Sequence, residues 1–398
     1  MISIKDAKIR LLEESERPKK SLIRLNINKV FGLVLAENIK AKCYSPPFNQ
    51  SAMDGYALRI EDAAGSDNIL LKTDIEISAG SNKTVTLKPN TAVRIFTGAK
   101  TPSNCTLVIP QEDIVVDENN VLHFDRSRFS KCDNIRLKGS QFNKGEVVLN
   151  KGIIMNGARI AIAATAGHAA VKVVASPKVS IIVCGNELVK PGSPLGSDKI
   201  YESNSLMLSA LLKEYNIELA SIAYAKDNIS NLENTIKKAF KKSDVVLVSG
   251  GISVGKYDFV QTALNNLKTQ KVFYKIKQKP GKPLYFGRNK NNFVFGLPGN
   301  PAASLTCFYE YVLPFIKSLS GLNFHPIIPK KTQMLNEYRK KPGLTHFLKA
   351  FVNDEGLTIL PDQESYKLTS FANANCLAMI PEECTEVKKG DLIEYHII

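Results

Sequence analysis

The spacing of apolar positions changes character along the chain. Over 178–319, apolar runs alternate with amphipathic stretches. The pattern predicts strand 178–184, helix 203–215, strand 218–225, helix 229–240 and strand 244–249. A helix at about 258–267, strands 271–277 and 293–297 and a helix 302–319 follow. Such alternation argues for a largely parallel sheet with helices on both faces. In sheets of that kind ligands bind outside the carboxyl ends of the strands. The loops that reach that edge are 185–188, Asp227-Asn228, 249–258 and 297–301.

The flanks follow other patterns. Ser3 and Asp6 form a capping box that opens a helix to about residue 14, and Pro18 stops it. A second helical segment is expected over 28–35. Pro46-Pro47 forces an extended chain, and Ser51-Ala-Met-Asp54-Gly55 is a turn into strand 56–59. From 68 to 148 short alternating runs (ILLKTDIEI, KTVTL, TAVRIF, TLVIP, DIVVD, VLHF, EVVL) predict a β module. The Ala-rich stretch 156–170 reads as a packed helix returning to the layer of the N-terminal helices, with the β module as an insertion. Gly321 to Lys331 is a Pro-containing linker. The tail runs HFLKAFV, GLTILP, CLAMIP and DLIEYHII predict a small barrel or sandwich.

Composition narrows the class. An apolar content of 44% with 23% charged residues is globular rather than disordered. The net charge of +15 points to anionic partners. No compact basic run with interleaved aromatics is present, so a small anion fits better than nucleic acid. Seven scattered Cys without Cys-x-x-Cys read as reduced thiols of a cytoplasmic protein. Five His with no i, i+4 pair give no zinc motif, and no apolar segment is long enough to cross a bilayer.

The chemistry concentrates in 245–309, where three apolar runs each join a glycine-rich loop: LVSGGISVGKYDF, KQKPGKPLYFG and FGLPGNPAAS. From Phe259 to Tyr309 there are seven Lys and one Arg and no acidic residue. Ser249, Ser253 and the N–H groups of Gly250, Gly251 and Gly255 suit a phosphate. Lys275, Lys279 and Lys282 would hold an oxyanion and stabilise charge built up in transfer. Carboxylates facing phosphate imply a divalent cation, with Glu187, Asp227 and Asp258 as candidates. Each also has a structural reading; Asp258 could N-cap the next helix, Asp54 could be a turn aspartate and Thr97 could cap a turn. Neither a Walker A loop nor a Gly-x-Gly-x-x-Gly after the first strand is present. Pro298-Gly-Asn-Pro301 ends a strand and starts a helix, with Asn300 as expected N-cap and Pro301 near N1.

Taken together, PPFNQSAMDGYALR, RIFTGA, NIRLKG, CGNELVKPGSPL, IYESNS, LVSGGISVGKYDF, KQKPGKPLYFG, FGLPGNPAAS and QESYKLTSFANANCLAMIP span nearly the whole chain in order. The chain resembles the molybdopterin molybdotransferase family, which includes the E domain of gephyrin. The resemblance implies an α/β multidomain fold whose central domain, 177–325, binds molybdopterin on a mostly parallel sheet. It implies an N-terminal extended α+β domain (1–45 and 141–176), an inserted β domain (46–140) and a C-terminal β-barrel (326–398). The implied reaction inserts molybdate into adenylylated molybdopterin, releasing AMP and forming molybdenum cofactor, with Mg²⁺. The implied assembly is a homodimer with its site at the subunit interface. Contact with a molybdopterin adenylyltransferase and with molybdoenzyme acceptors is implied as well. By motif position the functional residues carry over to Asp54, Thr97, Glu187, Asp227, Asp258, Lys275, Lys279, Pro298, Pro301 and Ser370, with Asp54 and Thr97 from the other chain.

The chain departs from the family pattern at three positions. Gln141 and Asn186 stand where acidic residues are usual, and Lys256 where Glu is common. These changes make the cleft more basic. They motivate a second reading, a diverged pterin-binding scaffold or carrier without catalysis. The adenylylating step is a third reading, ranked lower because the chain has one α/β unit plus the extra domains.

Overall fold

The computed structural model describes residues 1–18, 20–63, 68–252, 259–322 and 329–398, with the backbone alone for 68–73. Two compact units emerge, one of Met1–Ile23, Gly32–Val34 and Val174–Ile398, the other of Arg24–Phe31 and Leu35–Val173.

The first unit is built on a six-stranded sheet in the order Glu218–Ala225, Lys178–Cys184, Val245–Ser249, Asn292–Leu297, Tyr285–Asn289, Gln270–Tyr274. The first four strands are parallel; the last two join by antiparallel pairing. Alternate residues serve opposite faces, as a pleated strand requires. Ile181, Val183 and Leu247 meet Leu208 and Leu212 of helix Asn204–Glu214 and Phe315 on one side. Ile182, Val246 and Val248 meet Leu232, Ile236, Val260 and Leu264 on the other. The parallel α/β expectation therefore holds for the strands that matter to ligand binding. Strand Tyr285–Asn289 is absent from the expected list, because its glycine and lysine neighbours read as loop. It is a buried hairpin strand, turned at Lys290, whose φ is +53°.

The C-terminal domain closes on itself. Strand Thr345–Asn353 pairs with Gly356–Ile359 on one side and Cys376–Ile380 on the other. Cys376–Ile380 pairs with Leu392–Ile397, which pairs with Lys330–Gln333. A bridge from Met334 to Leu357, with Leu335 N–H donating to Leu357 O at 2.8 Å, completes the ring. The short strand Gln278–Lys279 adds in parallel to Thr345–His346, tying the α/β domain to this barrel.

In the second unit a six-stranded sheet runs Leu107–Pro110, Gly55–Leu58, Thr91–Ile95, Asn68–Ile77, Val121–His123, Val115–Val116. Gly55 is required by close approach: a Cβ there would lie 2.0 Å from Ile109 O. The helix near 156–170 is Gly157–Thr165, capped by the Asn156 side chain on Arg159 N–H.

Three local expectations are corrected. The segment 28–35 is not a helix; a 3₁₀ turn at Ile27–Lys29 ends it, and Gly32 at φ +78° breaks the pattern. KTVTL is not a strand, because Asn104 takes both the N–H and the C=O of Leu87 with its side-chain amide. The helix expected at 302–319 is Pro301–Cys307, a π turn Phe308–Val312, then Leu313–Leu319. Pro314 cannot donate to the preceding turn, and the wider turn accommodates that loss.

The π turn carries a buried charge network. Glu310 accepts from Lys8 Nζ at 2.9 Å and lies 2.5 Å from His396 Nδ1. It joins the N-terminal helix Ile4–Glu16, the α/β domain and the last barrel strand. Burial alone would raise the Glu310 pKa, yet Lys8 and His396 outweigh it and the carboxyl lies below its ordinary value. A lowered carboxyl contributes stability above the unfolded pKa and loses it as pH falls through the folded one. Glu310→Ala should destabilise the chain by about 3–5 kcal/mol at neutral pH, because it leaves the Lys8 ammonium and the buried His396 ring without their partner. The difference between wild type and variant in urea midpoints should shrink as pH drops below the ordinary carboxylate range; a gap that stays constant would exclude this role.

Candidate active site

The strand ends set the site. Cys184 pairs with Ala225, Val183 with Ser249, and Ser249 with Leu297. The loops after these strands therefore start at nearly one level. The chain leaves Lys178–Cys184 toward one edge of the sheet and Val245–Ser249 toward the other, so the crevice between them is the switch point.

A cavity of about 990 Å³ opens there. Its walls include Glu187, Asp227, Ser249, Gly250, Gly251, Pro298 and Pro301, all expected from sequence. Asn186 N–H donates to Asp227 Oδ2 at 3.1 Å, and Asp227 N–H donates to Asn186 Oδ1 at 3.2 Å. This reciprocal pair fixes the Asp227 loop against the Glu187 loop. Gly250 sits at φ +85°, and a Cβ would lie 2.4 Å from Cys184 O, so only glycine makes this turn. Its N–H donates to Leu297 O at 3.2 Å, which corrects the expectation that it cradles a phosphate. The Gly251 N–H has no partner among the described residues. Ser253, Gly255 and Asp258 lie outside the described residues, as does Lys256.

The lysines are placed differently from expectation. Lys275, Lys279 and Lys282 do not line the cavity, although Pro283 does. Strand Gln270–Tyr274 exits at the same sheet edge but three positions from Val245–Ser249. At about 4.8 Å per strand that is roughly 14 Å. Lys275 Nζ sits 4.9 Å from the Tyr274 ring centroid. Lys279 is exposed on the strand that joins the barrel. His346, its neighbour there, is pushed down to about 4, first by burial and then by Lys340 and Lys279.

Asn300 does not cap its helix with its side chain; it donates instead to Ser365 Oγ at 2.8 Å. Pro301 does open the helix. Ser370 is buried, and its hydroxyl donates to Pro361 O at 2.5 Å, which braces a barrel loop.

Asp54 and Thr97 belong to the second unit and form one device. The Thr97 hydroxyl donates to Asp54 Oδ1 at 2.6 Å and the Thr97 N–H at 2.7 Å. The Thr97 side-chain bond, then the backbone bond, hold the Asp54 carboxyl below its usual pKa. Gln141 Oε1 accepts from Ser45 Oγ at 2.7 Å, a bond a carboxylate would also accept.

Comparison with known proteins places this geometry. Residues 2–167 match the MoeA N-terminal region (domain I and II), 180–318 a probable molybdopterin binding domain, and 331–398 the MoeA C-terminal region (domain IV). The molybdopterin molybdenumtransferase of Staphylococcus epidermidis RP62A is 33% identical over 401 residues, covering 99% of this chain and 94% of that protein. That of Staphylococcus aureus Mu50 is 33% identical over 402 residues, with the same coverage. The chain belongs to the molybdopterin molybdenumtransferase family. Two molybdopterin biosynthesis MoeA structures from Pyrococcus horikoshii match with TM-scores of 0.81 and 0.80, at 28% and 25% identity. They cover 100% of this chain, and 99% and 100% of their own.

Among the cavity residues that sequence reasoning passed over is Asn204. Asn204, in the quoted IYESNS motif, is buried, and its Nδ2 donates to Ser249 Oγ and to Gly299 O, both at 2.8 Å. Gly299 O can only accept, so the amide orientation is fixed. Asn204 thereby holds the Ser249 hydroxyl as an acceptor and leaves its proton to donate elsewhere. The signal available was an Asn at a helix start, which reads as a cap. Asn204→Asp should cost about 1–3 kcal/mol in stability, because a carboxylate cannot donate to Gly299 O. Chemical denaturation checks this; an unchanged midpoint would show that the two bonds hold nothing.

Proposed function

We propose that this chain is a molybdopterin molybdotransferase, inserting molybdate into adenylylated molybdopterin with release of AMP. The observation that carries the reading is the cavity at the switch point, where Glu187 and Asp227 line the same walls as the Ser249-Gly250-Gly251 turn. Carboxylates on the walls of an anion cavity suit a ligand that brings a cation with it.

The residues take the following roles in this reading. The Gly251 N–H and the Ser249 hydroxyl proton donate to the pterin phosphate. Ser253 and Gly255, outside the described residues, are further candidates to donate to the same phosphate. Pro298 and Pro301 shape the wall where the strand Asn292–Leu297 gives way to the helix. Lys275, Lys279 and Lys282 lie along the same sheet edge and stabilise the oxyanion and the charge that leaves with AMP. Water attacks the pterin phosphorus and forms a new P–O bond as the phosphoanhydride bridge breaks; AMP departs with the bridging oxygen and its electron pair, and the proton released by the attacking water passes to solvent. Glu187 and Asp227 offer hard oxygen donors, which fits Mg²⁺. Asp258 is the third candidate for this set. Substrate phosphate and water would complete the coordination of such an ion. Bound Mg²⁺ would neutralise phosphate charge. Asp54, with its Thr97 donors, remains ionised and would come from a second copy in a homodimer. A cytoplasmic setting accords with seven free cysteines. No helix among the described residues is long and apolar enough to cross a membrane. Contact with an adenylyltransferase and with molybdoenzyme acceptors belongs to the same reading.

The departures favour the scaffold reading only weakly. Asn186 makes two reciprocal bonds with Asp227, and Gln141 accepts from Ser45 Oγ. Purified chain with adenylylated molybdopterin, molybdate and Mg²⁺ should release AMP in step with cofactor formation. Glu187→Gln should lower turnover at least tenfold and raise the Mg²⁺ requirement, with ligand binding at saturating Mg²⁺ retained. Tight binding of the adenylylated pterin by wild type with no AMP would favour the scaffold. Lys279→Ala should weaken binding, by a factor that shrinks as salt rises.

A further inference from the structure

The C-terminal barrel sends one loop, 361–370, to the cavity. Lys349 is 3% exposed, and its ammonium donates to three carbonyls of that loop: Asp362 O, Glu364 O at 3.4 Å and Lys367 O at 3.0 Å. Gln363 bonds the Lys349 backbone twice, accepting from its N–H at 3.0 Å and donating to its O at 2.8 Å. Ser370 donates to Pro361 O, and Lys367 Nζ lies 2.6 Å from Asp362 Oδ1. From the cavity side, Asn300 donates to Ser365 Oγ at 2.8 Å. The loop is thus fixed from both ends.

Its tip is Tyr366, which lines the cavity yet is 62% exposed. The ring makes no aromatic contact and the hydroxyl no hydrogen bond among the described residues. A buried lysine, a glutamine and a serine therefore rigidify a loop whose aromatic side chain stays mostly exposed. Folding gains little from Tyr366 itself. A rigid aromatic presented to a cavity offers contact area to a planar ligand at small entropic cost. Pro298 and Pro301, both apolar, line the same cavity.

We propose that Tyr366 is the wall on which a planar heteroaromatic ring of the ligand stacks, and that Lys349, Gln363 and Ser370 are positioning residues for it. The inference rests on the proposed function, which supplies two such rings, the pterin and the adenine. Their shared chemistry is a flat, nitrogen-rich π face.

The chain contains no tryptophan, so Tyr366→Trp places a single indole at this wall. Its emission should be quenched saturably by adenylylated molybdopterin. AMP alone and molybdopterin alone, titrated separately, assign the stacked ring as adenine or pterin. Tyr366→Ala should weaken binding of adenylylated molybdopterin about tenfold by equilibrium dialysis, the order that aromatic stacking supplies, and Tyr366→Phe should keep wild-type affinity. Lys349→Met should weaken binding like Tyr366→Ala, with no added loss in the double variant. Ligand bound by the Trp variant without quenching, together with unchanged affinity in Tyr366→Ala, overturns this inference alone. Absence of any binding by wild type in dialysis overturns the proposed function, and this inference with it.

Discussion

Parallel strand register is the constraint on which the site depends. Ser249 faces Val183 on one side and Leu297 on the other, and Cys184 faces Ala225. Four loops of different sequence therefore begin at one edge. Neither the acidic loops at Glu187 and Asp227 nor the glycine turn at Gly250 would form a site by itself. Backbone hydrogen bonds bring them within one cavity, and Asn204 crosslinks the Ser249 strand end to Gly299. The glycine turn packs against Cys184 O closely enough to exclude any side chain at Gly250. Packing thus fixes the position of the turn before any ligand arrives.

The C-terminal barrel is part of this arrangement. Strand Gln278–Lys279 pairs with the barrel, and the Glu310 carboxylate joins Lys8 and His396 across three chain segments. A buried charge network of this kind fixes geometry more than it adds stability, since desolvation offsets much of the attraction. What it fixes is the orientation of the barrel on the α/β domain. The same barrel then delivers Tyr366 and Ser365 to the cavity. Ser370 acts on the loop backbone through Pro361 O, so its influence on a ligand runs through loop position.

Much of this was legible in the sequence where local pattern and tertiary demand agree. Apolar runs followed by Gly or Asp-Asn marked the strands and the loops at their carboxyl ends, and the cavity residues Glu187, Asp227 and Ser249 followed from them. Reading failed where a side chain replaced a backbone partner. Asn104 pairs Leu87 in place of a ladder, and Asn300 reaches Ser365 where a cap was expected. Distance across a sheet was not legible either. Lys275, Lys279 and Lys282 follow a strand that looks adjacent in sequence and lies three positions away in space.

The sequence by itself determined the alternation of elements, the family, the glycines that make the turns and the supply of carboxylates, lysines and serines. These depend on local propensity and on residue type, which a single chain displays directly. Only the tertiary structure decided that Gly250 donates its N–H to the sheet, that Asn204 holds Ser249, and that a barrel loop braced by Lys349 presents Tyr366 at the cavity. Those outcomes depend on which groups meet across 13 to 95 residues of chain. Hydrogen-bond partners at such separations are chosen by packing, which no local pattern encodes.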